Sequence, residues 1–417
     1  MKRKSNKMDR RNFLKTIGAA GLGSALTGVT TGSTSAQTKA DPNDPNASTE
    51  TKEAVFPKVP KRKLGKTGVE VPVLALGMIF DVLEQQIVLR KALEWGITYW
   101  DTADCYVGGN SELGIGKFLQ ANPMIRKDLF IVSKSDEKGP EGMQKLLDRS
   151  LERMNIDYID LYFIHGTDDP KELSEEVKAW VAKTKKSQKI LFFGFSTHKN
   201  MAECLNTSAK LGWIDAIMTT YNFRLMQDAQ MQAAVDACCK AGVGLVAMKA
   251  QALGQAIETE EDKKLVKHFL EKGFTEGQAK VKVVLEDERV SSVCSGRGNL
   301  ADLLANVAAV LDKTKLTEAD IDTFKEYAAA TCSGYCAGCG HICDSALPDA
   351  PYVSEVMRYL MYYKSYGEQR EARELFAGIP GCVRDKLQSI DYSIAEACCP
   401  QHLPIGKLMA EAVSKLA

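Results

Sequence analysis

Short apolar runs alternate with amphipathic stretches between about residue 61 and residue 315. Eight of these runs are almost continuously apolar, as parallel strands covered on both faces must be. The predicted strands are Val73–Leu76, Ile97–Asp101, Leu129–Ser133, Ile159–Ile164, Ile190–Phe195, Ala216–Tyr221, Gly244–Met248 and Val290–Ser295. Helical stretches lie between them, for example Glu84–Glu94, Gly142–Met154, Leu173–Lys186 and Gln230–Ala241. Eight strand–helix units over about 250 residues predict an α/β fold, a closed (β/α)8 barrel. A doubly wound sheet is the alternative, but no Gly-x-Gly-x-x-Gly turn follows the first strand.

The first 36 residues have a composition typical of a targeting segment. Six basic residues and one acidic residue give a charge of +5 within the first eleven positions. The apolar stretch that follows, Phe13–Val29, is too short and too rich in glycine to cross a membrane. The pair Arg10-Arg11 resembles a twin-arginine export signal, with cleavage expected after Ala36; a basic tail without export function is the alternative. We therefore predict a signal peptide over residues 1–36, a linker over 37–60 and a periplasmic or other extracytoplasmic location.

Composition and charge narrow the range of partners. The 417 residues contain 54 Lys and Arg against 54 Asp and Glu, which argues against a nucleic-acid partner because such binding depends on surplus positive charge. No uninterrupted apolar run reaches 18 residues, so we expect no integral membrane span in the mature chain. Twelve cysteines are present, and composition alone does not distinguish disulfides, buried thiols and metal ligands.

Four chemically active side chains follow neighbouring predicted strands. Asp101 and Tyr106 follow the second strand, Lys134 the third and His165 the fourth. The carboxyl ends of barrel strands meet on one face, so these side chains can converge there. An ammonium group beside a tyrosine favours the phenolate and is expected to lower its pKa. Such a site can exchange a proton with an oxygen atom, but hydride must come from a nicotinamide or flavin cofactor.

These motifs resemble the aldo-keto reductase family, which has a TIM-barrel fold. The sequences DTADCY, DYIDLYFIHG, GFSTH, YN and MKA occur in the expected order over roughly residues 61–325. The resemblance implies that Tyr106 is the general acid/base and that Lys134 adjusts its pKa. It further implies that Asp101 holds Lys134 and that His165 orients the substrate carbonyl.

The resemblance also implies a nicotinamide site. Ser196 and Asn222 would contact the carboxamide, Tyr221 would stack on the nicotinamide ring, and Arg297 would bind the 2′-phosphate of NADP. The candidate cofactor-binding residues are Ser196, Tyr221, Asn222, Lys249, Ser295, Gly296, Arg297 and Asn306. NADP and NAD both remain open, because Asp302 stands where the family usually has Glu.

Residues 316–417 form a second predicted region, a small and mostly helical cysteine-rich domain that follows a barrel over residues 61–315. It resembles the ferredoxin-like extension of a bacterial subgroup of the family, which implies a 4Fe-4S cluster. The candidate metal ligands are Cys332, Cys336, Cys339, Cys343 and Cys399. Zinc bound with the help of His341, and an empty or disulfide-bonded remnant, are the alternatives. The five cysteines of the barrel region lack ligand spacing and are predicted to be buried thiols; they are Cys105, Cys204, Cys238, Cys239 and Cys294.

Together these features predict an oxidoreductase that uses NAD(P)H to reduce a carbonyl, in an aldehyde, ketone or sugar, or that oxidises the corresponding alcohol. The alternative is a redox-sensing or electron-transfer module that holds a nicotinamide and a metal cluster without turnover. The tail is either structural or electron-transferring, and an electron-transfer partner is a candidate only in the second case; a small-molecule carbonyl or alcohol is the expected substrate. Export would separate the protein from the cytoplasmic NADPH pool, so we expect the cofactor either to be bound tightly or to be re-oxidised or re-reduced in place by the cluster.

Overall fold

The computed structural model describes residues 57–252, 259–296, 299–348 and 352–417. The predicted signal peptide over residues 1–36 and most of the predicted linker lie outside the described residues. Arg297, the predicted 2′-phosphate ligand, also lies outside them. None of the described helices is both long and apolar enough to cross a membrane.

The described strands form a ribbon and a barrel. The antiparallel ribbon consists of β1 (Lys61–Lys63) and β2 (Glu70–Pro72). The barrel strands are β3 (Leu74–Gly77), β4 (Tyr99–Asp101), β5 (Phe130–Ser135), β6 (Ile159–Ile164), β7 (Ile190–Thr197), β8 (Ala216–Thr220), β9 (Gly244–Met248) and β10 (Val290–Ser295). Each barrel strand pairs in parallel with its neighbour in sequence, and β10 pairs with β3 to close the sheet. The predicted (β/α)8 barrel is confirmed.

Helices cover the barrel and continue beyond it. Those of the barrel region are α1 (Gln86–Glu94), α2 (Asn110–Ala121), α3 (Pro140–Met154), α4 (Glu175–Lys186), α5 (Met201–Leu211), α6 (Ala229–Lys240), α7 (Glu260–Glu271), α8 (Glu276–Glu286) and α9 (Leu300–Leu311). Those of the tail are α10 (Glu318–Ala330), α11 (Gly340–Ala346), α12 (Val353–Met361), α13 (Gln369–Ala377), α14 (Gly381–Arg384), α15 (Ser393–Cys398) and α16 (Ile405–Leu416).

Helix α3 shows how the sequence sets these elements. Pro140 begins the helix, where its missing N–H costs nothing, and Asn155 ends it in the left-handed conformation with a φ of 52°. The residues that it buries recur every three to four positions and so share one face. They are Met143, Leu146, Leu147, Ser150 and Met154.

The barrel interior is a packed apolar core. Tyr99, Phe130, Leu161 and Phe163 belong to one buried cluster that also includes Leu64 from the β1–β2 connection. This packing fixes the strands whose carboxyl ends carry the candidate active-site residues, as is usual in barrels of this kind.

The tail has its own apolar core, and it also contacts the barrel. Helices α12 and α16 contribute Val356, Met357 and Met409 to this core. Lys199, in the loop after β7, forms ion pairs with Asp344 and Glu355 of the tail. Residues from Lys58 to the end of the chain accordingly belong to one compact unit.

Candidate active site

Asp101, Tyr106, Lys134 and His165 do converge at the carboxyl ends of neighbouring strands. Asp101 is the last residue of β4, Lys134 lies in β5, and His165 directly follows β6. Tyr106 lies in the loop after β4. Adjacent parallel strands bring these four side chains onto one face of the barrel.

Lys134 is the centre of this group. Its Nζ donates to Asp101 Oδ1 at 2.6 Å, to the Thr102 carbonyl oxygen at 2.7 Å and to the Tyr106 hydroxyl oxygen at 3.3 Å. Only 1% of Lys134 is exposed. Burial by itself would lower the pKa of Lys134, but the ion pair with Asp101 raises it overall. Lys134 is therefore an ammonium group at neutral pH.

The pKa of Tyr106 is set by two opposing effects. Burial raises the pKa of Tyr106 above its ordinary value, and the nearby Lys134 ammonium offsets only part of this rise. Lys134 acts to lower the pKa, as expected, but the desolvation of the phenolate, which the sequence does not report, outweighs the attraction of the ammonium. Tyr106 is a protonated phenol at neutral pH and can act as a proton donor.

His165 lies beside Tyr106, with ring centroids 5.7 Å apart in an edge-to-face arrangement. Its Nδ1 is 2.6 Å from Asp136 Oδ1, so Asp136 fixes the orientation of the imidazole ring. Although burial acts to raise the pKa of Asp136, its hydrogen bond to His165 lowers it overall. Sequence reasoning missed Asp136; the available signal was an acidic residue two positions after Lys134, near the same strand end.

Two candidate cofactor residues, Ser196 and Asn222, form hydrogen bonds with residues that lie far from them in the sequence. Ser196 lies in β7, and its Oγ accepts a hydrogen bond from the backbone N–H of Gly166 at 3.0 Å. The buried Asn222 follows β8, and its side-chain amide donates to the hydroxyl of Tyr335 at 2.9 Å. Tyr335 belongs to the tail, so the tail reaches the predicted carboxamide site. Sequence reasoning did not anticipate this contact.

Tyr221 is 1% exposed, and its hydroxyl donates to Asp287 Oδ2 at 2.7 Å. A ring this deeply buried offers no free face, so the predicted stacking on nicotinamide is not supported.

Lys249 is held by the tail. Its Nζ lies 3.2 Å from Glu368 Oε2 and within 4.5 Å of the ring centres of Tyr362 and Tyr366. Burial alone would lower the pKa of Lys249, but Tyr362, Glu368 and Glu371 of the tail raise it overall. This candidate cofactor residue is thus already paired with a carboxylate and two aromatic rings.

The remaining cofactor candidates lie after β10. The Asn306 side-chain amide donates to Ser295 Oγ at 2.6 Å, and Asn306 Oδ1 accepts from Gln251 at 3.2 Å. Gly296 is exposed at the end of β10. The structure therefore brings Ser295, Gly296 and Asn306 together.

Four of the five candidate metal ligands line one small cavity in the tail. These are Cys336, Cys339, Cys343 and Cys399, and Met357 and Leu403 are among the apolar residues around them. Cys332 is not among the lining residues. Burial raises the pKa of the Cys336 thiol to about 11 and that of the Cys339 thiol to about 12.

The cysteine loop is fixed to the barrel by main-chain contacts. The backbone N–H of Asn200 donates to the Gly338 carbonyl oxygen at 2.8 Å, and Asn200 Oδ1 accepts from the backbone N–H of His341 at 2.9 Å. Gly338 has a φ of +77°, and a Cβ atom there would lie 2.4 Å from the His198 carbonyl oxygen. The loop that carries Cys336 and Cys339 thus contacts the loop that follows β7.

Comparison with known proteins agrees with this geometry. Residues 80–329 match the model of the Aldo/keto reductase family. The chain belongs to this family. It is 26% identical over 314 residues to an L-glyceraldehyde 3-phosphate reductase of Escherichia coli O157:H7, covering 62% of this chain and 89% of the relative. It is 27% identical over 291 residues to an L-galactose dehydrogenase of Arabidopsis thaliana, covering 62% and 90%.

A solved structure shares the barrel. A thermostable aldo-keto reductase in complex with the inhibitor epalrestat superposes with a TM-score of 0.54 at 26% identity, over 64% of this chain and 99% of that one. Membership of this family makes the chain an oxidoreductase, and the family generally uses NADP(H). These matches leave much of the cysteine-rich tail uncovered, since the family model ends at residue 329.

Proposed function

We propose that this aldo/keto reductase reduces the carbonyl of an aldehyde, ketone or sugar with NAD(P)H, or oxidises the corresponding alcohol. One observation carries the proposal. The buried Asp101–Lys134 ion pair places an ammonium nitrogen 3.3 Å from the hydroxyl of Tyr106, with the His165 ring alongside.

The four side chains have distinct roles in this proposal. Tyr106 donates its phenolic proton to the substrate oxygen, and Lys134 stabilises the phenolate that is left. Asp101 keeps Lys134 charged and in place, while His165, held by Asp136, orients the carbonyl. A bound nicotinamide supplies the hydride.

The hydroxyl and amide side chains near the strand ends fit a dinucleotide. Ser196 and Asn222 would bind the nicotinamide end, and Ser295, Gly296 and Asn306 would bind nearer the adenosine end. Lys249 would contact the dinucleotide only after its ion pair with Glu368 breaks.

The test is NADPH oxidation by the purified protein with a panel of aldehydes, ketones and sugars. We expect Tyr106→Phe to lower kcat by about 10²–10⁴-fold, because the proton donor is lost while the ring is kept. Tyr392→Phe, which removes a hydroxyl that donates only to the Leu387 carbonyl oxygen in the tail, is the matched control and should retain most of kcat. Equal turnover by Tyr106→Phe and the unmodified protein would rule out the assigned acid.

We further propose that the tail binds one 4Fe-4S cluster through Cys336, Cys339, Cys343 and Cys399. Four thiols around one cavity match the ligation by four cysteine thiolates that is typical of such clusters. No three of these thiols lie mutually within 4.8 Å among the described residues. Four thiolates about 2.3 Å from one zinc ion would lie only about 3.8 Å apart, so this spacing favours the larger cluster. A bound cluster would supply one-electron transfer.

The cluster is tested on freshly purified, anaerobic protein. A broad visible absorption band with iron and sulfide would support it, whereas colourless protein containing zinc would reject it. Cys399→Ala should lose the band and Cys332→Ala should keep it, because Cys332 does not line the cavity. Loss of the band in both variants would contradict this ligand set.

The second candidate function is a redox-sensing or electron-transfer module without turnover. The contacts of Tyr335 with Asn222 and of Glu368 with Lys249 favour it, because they connect the tail to two candidate cofactor residues. This function requires purified protein to carry bound dinucleotide and to remain inert to every added carbonyl substrate.

We also propose export by the twin-arginine route, on the basis of Arg10 and Arg11. Replacing both by Lys should retain the full-length protein in the cytoplasm, as measured by cell fractionation. Unchanged fractionation of this variant would refute the route.

A further inference from the structure

A cysteine, an aspartate and a histidine face one another at the edge of the candidate active site. The candidate ligand atoms of Cys105, Asp136 and His165 all lie within 4.8 Å of one another. Asp136 Oδ1 is 2.6 Å and Cys105 Sγ is 3.7 Å from the same atom, His165 Nδ1. The three side chains come from three different strand ends, so the fold and not a local turn brings them together.

We propose that Cys105, Asp136 and His165 form a binding site for a thiophilic divalent cation such as Zn²⁺. Zinc accepts sulfur, nitrogen and oxygen ligands at about 2.0–2.3 Å, and with three protein ligands it keeps a fourth position for water. Neighbouring ligands of such an ion are a little over 3 Å apart. The Cys105–His165 distance already agrees with this, and the Asp136–His165 distance needs to lengthen by less than about 1 Å.

The charges balance at such a site. The Cys105 thiol releases its proton to solvent and binds as a thiolate, and Asp136 binds as a carboxylate. These two negative charges neutralise the divalent cation. His165 binds through Nδ1 as the neutral ring with its proton on Nε2, so the ion takes the place of the proton now shared with Asp136.

Exposure makes the site accessible. Cys105 is exposed, as is Cys239, so the prediction of buried thiols is wrong for these two cysteines, which lie at a strand end and at the end of a surface helix. The side chains of Asp136 and His165 are 50% and 20% exposed. A hydrated ion can therefore reach all three groups without opening the barrel. The mixture of a soft sulfur, an imidazole and one carboxylate favours zinc over magnesium or calcium, which prefer all-oxygen sites. The site shares His165 and Asp136 with the candidate active site, so the test measures metal binding and not turnover.

The experiment measures how fast maleimide alkylates individual cysteines in the full-length protein, with and without Zn²⁺. Peptide mapping by mass spectrometry separates Cys105 from the tail thiols, which are the proposed cluster ligands. Although the residue as a whole is exposed, desolvation of its sulfur atom and the neighbouring Asp136 raise the pKa of the Cys105 thiol to about 12, so long reaction times are needed. Cys239 is also exposed and serves as the internal control.

We expect zinc at about ten times its dissociation constant to slow alkylation of Cys105 about elevenfold, because only the unbound fraction reacts. Cys239 should react at the same rate throughout. Asp136→Asn should abolish most of the protection, and Cys105→Ser should lower the zinc stoichiometry by one. Equal alkylation of Cys105 with and without zinc, or full protection in Asp136→Asn, would overturn the proposal.

Discussion

Replacing Lys134 by Met tests how the buried Asp101–Lys134 ion pair contributes to stability and to catalysis. Lys134 is 1% exposed and Asp101 is 2% exposed, so the substitution leaves a buried carboxylate without its cation. Breaking a buried ion pair in this way costs about 3–5 kcal/mol of folding free energy. The same change removes the donor 3.3 Å from the Tyr106 hydroxyl, and so removes the group that stabilises the phenolate. We expect both a lower unfolding midpoint in urea and a large loss of kcat.

The double variant Asp101→Asn with Lys134→Met separates these two effects. It removes the buried negative charge together with the cation, so most of the lost stability should return. Activity should stay low, because Tyr106 still lacks an ammonium neighbour. The reasoning fails if Lys134→Met is as stable as the unmodified protein, or if the double variant is no more stable than the single one.

Three further predictions follow from other contacts. Since burial raises the pKa of Tyr106, its phenol remains protonated through neutral pH. The initial rate of carbonyl reduction should therefore be independent of pH in this range. The initial rate of alcohol oxidation should rise at alkaline pH, because oxidation needs the phenolate. Lys199→Met removes the cation shared by the Asp344 and Glu355 carboxylates and should weaken tail docking by about 1–3 kcal/mol because these pairs are only partly buried, measured as faster limited proteolysis of the tail. Gly338→Ala places a side chain at φ +77° and should lower both tail protection and iron content, while Gly334→Ala, with open space around it, should change neither.

The barrel could be predicted from the sequence because each strand is indicated by a local run of apolar residues. The strands Ile159–Ile164, Gly244–Met248 and Val290–Ser295 have the bounds that the apolar runs predict, and the other five differ by at most two residues at either end. Buried parallel strands are short apolar runs whatever their neighbours are. Asp101, Tyr106, Lys134 and His165 could be identified because their motifs occur in a fixed order along these strands.

The properties that sequence reasoning missed depend on contacts distant in the chain. The direction of the Tyr106 pKa shift is set by burial, which no spacing between residues reports. Spacing alone grouped Cys332 with the other thiols, although Cys332 does not line the cavity. The resemblance to the ferredoxin-like extension had already added Cys399, which does line it although it lies more than fifty residues later in the chain. Tyr335 and Asn222 are 113 residues apart, so neither one predicts the other.

The tail and the candidate active site are physically coupled. The cavity thiols come from two separate segments, so a cluster that binds all four would hold those segments together and stabilise the docked tail. The same tail holds Asn222 through Tyr335 and Lys249 through Glu368. Loss of the cluster should therefore weaken the contacts that hold Asn222 and Lys249, although neither residue lines the cysteine cavity. For this reason dinucleotide affinity, measured with and without the cluster, is a more direct measure of the tail's role than turnover.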